Sequence, residues 1–185
     1  MRWMDYLLQR WRNNLAAHYI RTGDVLLDVG CYDGWLLARV RTRVSLAVGL
    51  DRKIPEGLLP ERRNYLILSD TTTGLPFPDQ SFSSVSLLAV FEHLPQKEGV
   101  IQEISRVLCP AGRVILTVPG RQIDGLLDIL ITLGVADGMS LEEHHGFLAA
   151  DTPALFETAG FALLKWQRFQ LGLNNLFVFE KTAGS

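Results

Sequence analysis

Three aspartates that follow apolar runs could together bind a ligand that carries neighbouring hydroxyl groups. Asp28 lies at the end of the first run, beside a glycine turn that contains Gly30 and Gly34. Asp51 ends the second run and Asp70 follows the third. A carboxylate at about this distance beyond a glycine turn can accept hydrogen bonds from both hydroxyls of a ribose. The order of these residues therefore predicts a nucleoside-containing ligand.

The glycine turn within residues 25–35 narrows the choice of ligand. The usual dinucleotide fingerprint would place its second and third glycines at positions where this chain has Tyr32 and Trp35. No Gly-Lys-Ser/Thr sequence follows the turn, as the phosphate loop of ATPases requires. Asp28 and Asp33 would repel a polyphosphate and suit a ligand with a cationic or zwitterionic part. The turn therefore disfavours a nicotinamide oxidoreductase.

Histidine is the side chain whose pKa suits a general base near neutrality. His93 follows the fourth apolar run and is a candidate catalytic residue. His144 and His145 are further candidates, because they lie in a glycine-punctuated segment, residues 119–150, that we interpret as a lid or substrate loop. A solvated polar turn is an equally good interpretation of that pair. His18, on the first helix, is predicted to be a surface or helix-packing residue.

Alternating strand and helix patterns must position these residues. Helices are predicted over residues 35–43 and 96–108 and from Thr152, as a cap, to Gly160. After the first strand, which begins at Val25, the predicted strands cover residues 45–50, 65–68, 85–91, 113–118, 161–170 and 176–180. This alternation is typical of a doubly wound parallel α/β sheet. The short connection at residues 171–175 makes the last two strands antiparallel.

The first 21 residues predict an amphipathic helix with aromatic side chains at three- and four-residue steps. We expect this helix to cover an edge or the mouth of the domain. Trp3, Tyr6 and Trp11 are expected to pack against the core, and an aromatic wall for a substrate is the alternative.

Composition argues against several classes of protein. The 18 basic and 20 acidic residues give a net charge of −2, which argues against sequence-independent binding to nucleic acid. Cys31 and Cys109 lack paired spacing, so they indicate neither a metal site nor a disulfide framework. No segment has the length and hydropathy of a signal peptide or a membrane span. These features predict a cytoplasmic protein with a single domain over residues 1–185.

Five short motifs follow one another along the chain. They are DVGCYDG at residues 28–34, VGLD at 48–51, SD at 69–70 with LPFPDQSF at 75–82, FEHL at 91–94 and PAGR at 110–113. Their order resembles that of the class I S-adenosylmethionine-dependent methyltransferases, in particular the compact small-molecule and ubiquinone-type group. The resemblance covers about residues 22–180. It implies a Rossmann-like methyltransferase fold, a doubly wound, mostly parallel seven-stranded α/β sheet with a reversed C-terminal strand.

The resemblance also implies S-adenosylmethionine as the cofactor and a role for each matching residue. Gly30 and Gly34 would let the backbone pass the methionine part of the cofactor. Asp51 would bind the ribose hydroxyls, and Asp70 would accept a hydrogen bond from the adenine amino group. The end of the fourth strand would lie near the methyl group. The residues implied to bind the cofactor are Asp28, Gly30, Cys31, Tyr32, Gly34, Asp51, Arg52, Asp70, Thr71, Ala89 and Phe91.

Two positions depart from the family's pattern. Tyr32 replaces the middle glycine of the first motif, so its ring either turns away from the cofactor or narrows the pocket. Ser83 replaces an aspartate, which predicts the loss of a loop hydrogen bond. The leading interpretation is methyl transfer to a small-molecule acceptor by in-line displacement. A non-catalytic module that binds S-adenosylmethionine or a protein partner is the alternative.

Overall fold

The computed structural model describes residues 3–53, 65–68, 74–120 and 148–183, in which seven strands form one sheet flanked by α-helices. The helices are α1 (Trp3–Ala17), α2 (Trp35–Val40), α3 (Lys97–Val107) and α4 (Thr152–Thr158). The strands are β1 (Val25–Val29), β2 (Leu46–Asp51), β3 (Tyr65–Leu68), β4 (Phe82–Leu88), β5 (Leu108–Pro119), β6 (Phe161–Phe169) and β7 (Asn174–Lys181). None of the helices in these ranges is long and apolar enough to cross a bilayer.

The strand order, β3-β2-β1-β4-β5-β7-β6, confirms the predicted fold class. The neighbouring strands from β3 to β5 pair in parallel, and β7 runs antiparallel to both β5 and β6. The chain leaves β1 toward β2 and β3 and then returns to β4 on the other side of β1. Ligands of open α/β sheets bind outside the carboxyl ends of the strands at such a reversal. The crevice between the carboxyl ends of β1 and β4 is therefore the place to search for a site.

Two hydrophobic clusters cover the two faces of the sheet. Successive side chains of a strand point to opposite faces, so Leu26 of β1 joins the cluster under α1 and α2. Leu27 joins the cluster under α3 and α4, which includes the stacked rings of Phe156 and Phe179. Burial on both faces explains why the parallel strands have continuous apolar sequences.

The fourth strand lies earlier in the chain than residues 85–91, the predicted range. β4 ends at Leu88, because Ala89 turns into the left-handed region with φ of 58° and donates its N–H to the Thr117 carbonyl oxygen at 3.1 Å. Phe91 then begins a 3-10 turn that ends at His93. A continuous apolar run does not distinguish a buried strand from a buried turn, so the predicted C-terminal end was wrong. The predicted start was also wrong, because the strand includes the polar Ser83 and Ser84 that precede the apolar run.

β5 begins at Leu108 and not at residue 113 as predicted, so the Pro-Ala-Gly segment at residues 110–112 lies inside this strand. Ala111 has φ of 57°, and the pairing of β4 with β5 shifts between Phe82 and Ser84. These features are those of a β-bulge, which bends a strand without ending it. A smaller correction concerns Thr152, which is the first residue of α4 and not its cap.

The first helix is rotated relative to the prediction. Tyr6 and Trp11 are 43% and 50% exposed, so the expectation that they pack in the core is wrong. The face of α1 that meets the protein instead carries the buried Asn13 and Ala16. A small alanine lets the helix backbone approach the sheet closely, and this contact decides which face is buried. The side chain of Trp3 lies outside the described part of the structure.

The substitution at Ser83 does not remove a hydrogen bond. Its Oγ accepts from the Val25 N–H at 2.9 Å and donates to Asp24 Oδ1 at 2.9 Å. Asp24 also accepts from the Arg21 N–H at 2.8 Å. The predicted loss is therefore wrong, because the carboxylate that fixes this corner comes from the residue before β1.

Candidate functional site

The turn after β1 has an unusual backbone. Gly30, Tyr32 and Gly34 have φ angles of 76°, 43° and 66°, in the left-handed region that favours glycine. The Gly30 N–H donates to the Leu50 carbonyl oxygen at 2.7 Å, which ties the turn to β2. A Cβ atom on Gly30 would lie 2.1 Å from Val90 Cγ2. The turn therefore passes directly against the residues that follow β4, as the predicted crevice requires.

Asp51, at the end of β2, holds this turn. Its Oδ2 accepts a hydrogen bond from the Tyr32 N–H at 2.7 Å, and its Oδ1 accepts one from the Lys53 N–H at 2.8 Å. An ionised carboxylate has about four acceptor sites, so two remain for a ligand. The tyrosine thus supplies the same backbone donor that a glycine would, while its side chain is 43% exposed.

Asp28 lies behind the turn. Its side chain is buried, and Oδ1 accepts a hydrogen bond from the Ser86 hydroxyl of β4 at 2.6 Å. The pKa of Asp28 is raised to about 7, mainly by burial and also by the nearby carboxylates of Asp51 and Asp33, while the bond from Ser86 opposes this rise. Asp28 therefore links β1 to β4 under the turn.

The raised pKa of Asp28 predicts a stability that depends on pH. Its folded pKa lies above the ordinary value of 3.8, so the folded protein holds a proton that the unfolded chain has released. The free energy of unfolding should therefore fall as pH rises from about 4 to about 7, by roughly 1.4 kcal/mol per pH unit for one such group. We expect Asp28→Asn to have a shallower pH dependence than the wild type, measured by urea unfolding at pH 5, 6 and 7. Equal slopes for the two proteins would contradict this prediction.

Of the other predicted site residues, two place their side chains in the core. Cys31 is buried under α2, and burial raises the pKa of its thiol. The Phe91 ring is fully buried, with its centroid 5.6 Å from that of Phe156. Ala89 contributes the left-handed backbone described above, and Arg52 is exposed beyond β2. The predicted Asp70, Thr71, His144 and His145 lie outside the described residues.

A carboxylate that the sequence analysis did not select lies at the end of β4. Glu92 is 3% exposed, and burial raises its pKa to about 7 against the opposing charges of Arg12 and Lys97. His93, the predicted base, has a side chain that is 24% exposed, with Nε2 3.9 Å from Glu92 Oε1. One sequence signal could have identified Glu92. It is a charged residue directly after an unbroken apolar run, where burial is expected. Among the described residues, no group of three His, Cys, Asp or Glu could hold a metal ion.

The first helix reaches both sides of the crevice. The Arg10 guanidinium lies over the ring of Trp35, at the start of α2, with 5.5 Å to the ring centroid. Arg12 interacts electrostatically with Glu92, beyond β4. At a third point, Gln170 after β6 donates its Nε2–H to the Leu8 carbonyl oxygen at 2.8 Å. These contacts place the N-terminal half of α1 at the carboxyl edge of the sheet.

Comparison with known proteins agrees with this geometry. Residues 27–116 match the family described as a methyltransferase domain. Methyltransferase GfsG of Streptomyces halstedii is 33% identical over 159 residues, which cover 79% of this chain and 55% of the relative. The 27-O-demethylrifamycin SV methyltransferase of Amycolatopsis mediterranei is 31% identical over 145 residues, which cover 70% of this chain and 53% of the relative. The chain thus spans about half the length of these curated relatives.

Solved structures share the fold at low sequence identity. The 1,6-didemethyltoxoflavin-N1-methyltransferase of Burkholderia thailandensis, solved with its substrate and S-adenosylhomocysteine, superposes with a TM-score of 0.73 at 18% identity. That match covers 98% of this chain and 81% of the other. The [4+2]-cyclase SpnF matches with a TM-score of 0.74 at 19% identity, over 93% of this chain and 80% of that one. The fold alone thus does not decide the reaction. The motifs, the strand order and the matched domain together show that the chain belongs to the class I S-adenosylmethionine-dependent methyltransferases.

Proposed function

We propose that this protein binds S-adenosylmethionine at the carboxyl edge of β1 and β2 and transfers its methyl group to a small-molecule acceptor. The observation that carries the proposal is the Asp51 carboxylate, which two backbone N–H groups orient beside a left-handed glycine turn. Its two remaining acceptor sites suit the paired hydroxyls of a ribose. The turn at Gly30 and Gly34 would pass the methionine part of the cofactor, and the carboxylate of Asp33 favours its positive charge.

The chemistry that this cofactor supplies is an electrophilic methyl group on a sulfonium. The protein's task is then to align the acceptor and to exclude water. Contacts of α1 on both sides of the crevice support a role for this helix in covering the site. Residues 121–147 of the predicted lid, residues 119–150, lie outside the described residues, so its role as a lid stays a prediction.

The relatives support a small-molecule acceptor. Their names include a rifamycin methyltransferase and a demethylmenaquinone methyltransferase, and the toxoflavin enzyme has the same fold. A tRNA U34 carboxymethyltransferase is also similar, at 29% identity over 121 residues. The net charge of −2 favours the small molecule, since binding to nucleic acid depends largely on neutralisation of phosphates by basic residues.

S-Adenosylhomocysteine is expected to raise the stability of the protein strongly. A ligand that binds only the folded state, at about one hundred times its dissociation constant, adds roughly 2.7 kcal/mol. For a chain of this size that corresponds to an increase in Tm of roughly 5–11 °C. Thermal unfolding checks the prediction, with NADH as the control ligand that should cause no shift. Absence of both a thermal shift and calorimetric heat with S-adenosylhomocysteine would remove the proposed cofactor.

The alternative, a module that binds the cofactor without turnover, is favoured by Tyr32 in place of the family's glycine. Incubation with an extract of the source organism and isotope-labelled S-adenosylmethionine, followed by mass spectrometry, separates the two functions. A labelled small molecule supports methyl transfer. Binding of S-adenosylhomocysteine with no labelled product supports the binding module.

A further inference from the structure

Two charged groups near the end of β4 interact electrostatically, and each has a buried polar atom without a hydrogen-bond partner among the described residues. Glu92 is 3% exposed, and its Oε2 has no hydrogen-bond partner among the described residues. Arg12 Nε of α1 is also buried and has no partner there. The two side chains interact electrostatically, so each stabilises the charge of the other. A buried donor and acceptor that are both unused are costly, and such groups call for a ligand or another explanation.

The neighbouring charged groups do not use these two atoms. The nearest approach of His93 to the carboxylate is from its Nε2 to Oε1 of Glu92, at 3.9 Å, and not to Oε2. Lys97 of α3 directs its Nζ to the carbonyl oxygens of Glu92 and Leu94, at 3.3 and 2.9 Å. Lys97 therefore fixes the backbone of the turn, and Oε2 is left for another donor.

The pair lies close in the chain to the residues that border the crevice. Glu92 follows β4 and lies two residues beyond Val90, which meets the glycine turn of β1. Arg12 comes from the helix whose Arg10 stacks on Trp35 at the other side of the crevice. Glu92 thus follows a strand that borders the reversal in strand order, where ligands of such sheets bind, and Arg12 interacts with it.

We propose that Arg12 and Glu92 together bind a hydroxyl group of the methyl acceptor, and that the reaction is O-methylation. The inference rests on the proposed methyl transfer. A hydroxyl donates one hydrogen bond and accepts others, so it satisfies Glu92 Oε2 and the Arg12 Nε–H at once. An alkylamine is protonated near neutral pH and then has no lone pair for Arg12, and a carbon acceptor supplies neither an N–H or O–H donor nor a lone pair.

The same arrangement provides a destination for the proton. During transfer the acceptor's O–H bond breaks, and its proton moves to Glu92 Oε2. An oxygen lone pair forms the new bond to the methyl carbon, and the electron pair of the broken S–C bond stays on sulfur. Burial raises the pKa of Glu92 to about 7, which is suitable for a general base near neutral pH.

Glu92→Gln is expected to lower kcat by about 100-fold or more, because general-base catalysis contributes typically 10²–10⁴-fold. It should leave the affinity for S-adenosylhomocysteine within twofold of the wild type. Glu98→Gln, an exposed neighbour on α3, is the matched control and should retain full activity. The wild-type kcat/KM should rise with pH through about 7, and this limb should be absent in Glu92→Gln. Activity of Glu92→Gln within threefold of the wild type would overturn the proposal.

The labelled product provides a second, independent test. A methyl group on oxygen is expected, and methylation of carbon, nitrogen or sulfur overturns the inference while leaving the proposed function intact. Absence of any labelled product overturns both. Arg12→Gln should weaken acceptor binding, seen as a higher KM. If Glu92→Gln or Arg12→Gln lost cofactor affinity and stability together, the pair would serve the fold and not the acceptor.

Discussion

Replacement of Asp51 by alanine is expected to reduce the affinity for S-adenosylhomocysteine by about 100-fold or more. The carboxylate offers two acceptor sites to the ribose, and a hydrogen bond to a charged group contributes about 1.5–3 kcal/mol. Two such bonds correspond to a factor of at least roughly 100 in the dissociation constant. The substitution also removes the bonds to the backbone N–H groups of Tyr32 and Lys53, so the turn would lose its orientation.

Isothermal titration calorimetry with S-adenosylhomocysteine measures this effect directly. Asp151→Ala is a suitable control, because it removes an equal charge from an exposed position before α4 where no side-chain capping bond is made. The control should bind as the wild type does. If Asp51→Ala retained affinity within threefold while folding normally, the ribose would have to be bound elsewhere. Adenosine as a second probe should show the same relative loss, since it carries the ribose but not the methionine part.

Gly30→Ala is expected to cost about 2–4 kcal/mol of stability. The new Cβ would lie 2.1 Å from Val90 Cγ2 and 3.2 Å from both Val90 Cβ and Cγ1, so a tight contact with the Val90 Cβ remains even if the valine rotates. Overpacking of this kind costs typically 1–3 kcal/mol. The φ of 76° adds roughly 1 kcal/mol for a residue with a side chain. The turn and the residues after β4 must therefore separate, at the position where the cofactor is proposed to bind.

Gly23→Ala is the control that separates the steric cost of the contact with Val90 from the backbone cost of a positive φ. Gly23 has φ of 85°, but a Cβ there would meet no atom within 4 Å, so only the backbone cost of about 1 kcal/mol applies. Val90→Ala combined with Gly30→Ala should recover part of the loss, because it removes both γ carbons. Urea unfolding measures all of these proteins. Equal destabilisation by Gly30→Ala and Gly23→Ala would show that the contact with Val90 does not control the turn.

The sequence determined the class of fold and part of the site. Glycine turns and apolar runs are local features, and their alternation predicted the parallel sheet, its reversed last strand and the position of Asp51 at a strand end. The sequence could not predict the end of β4, because the residues of a buried strand and of a buried turn are equally hydrophobic. The left-handed Ala89 that ends the strand is held by a bond to Thr117, 28 residues away.

Only the tertiary structure decided which charged residues enter the crevice. The pattern of α1 favoured the aromatic face as the buried one, yet Tyr6 and Trp11 are exposed and Arg12 faces Glu92. Chemical type alone favoured His93 as the base, whereas burial changes the pKa of its neighbour Glu92. Both outcomes depend on how α1 packs against the end of β4. The sequence thus indicated the strand ends at which we propose that a ligand binds, and the packing of a helix on the sheet decided which charged groups are buried there.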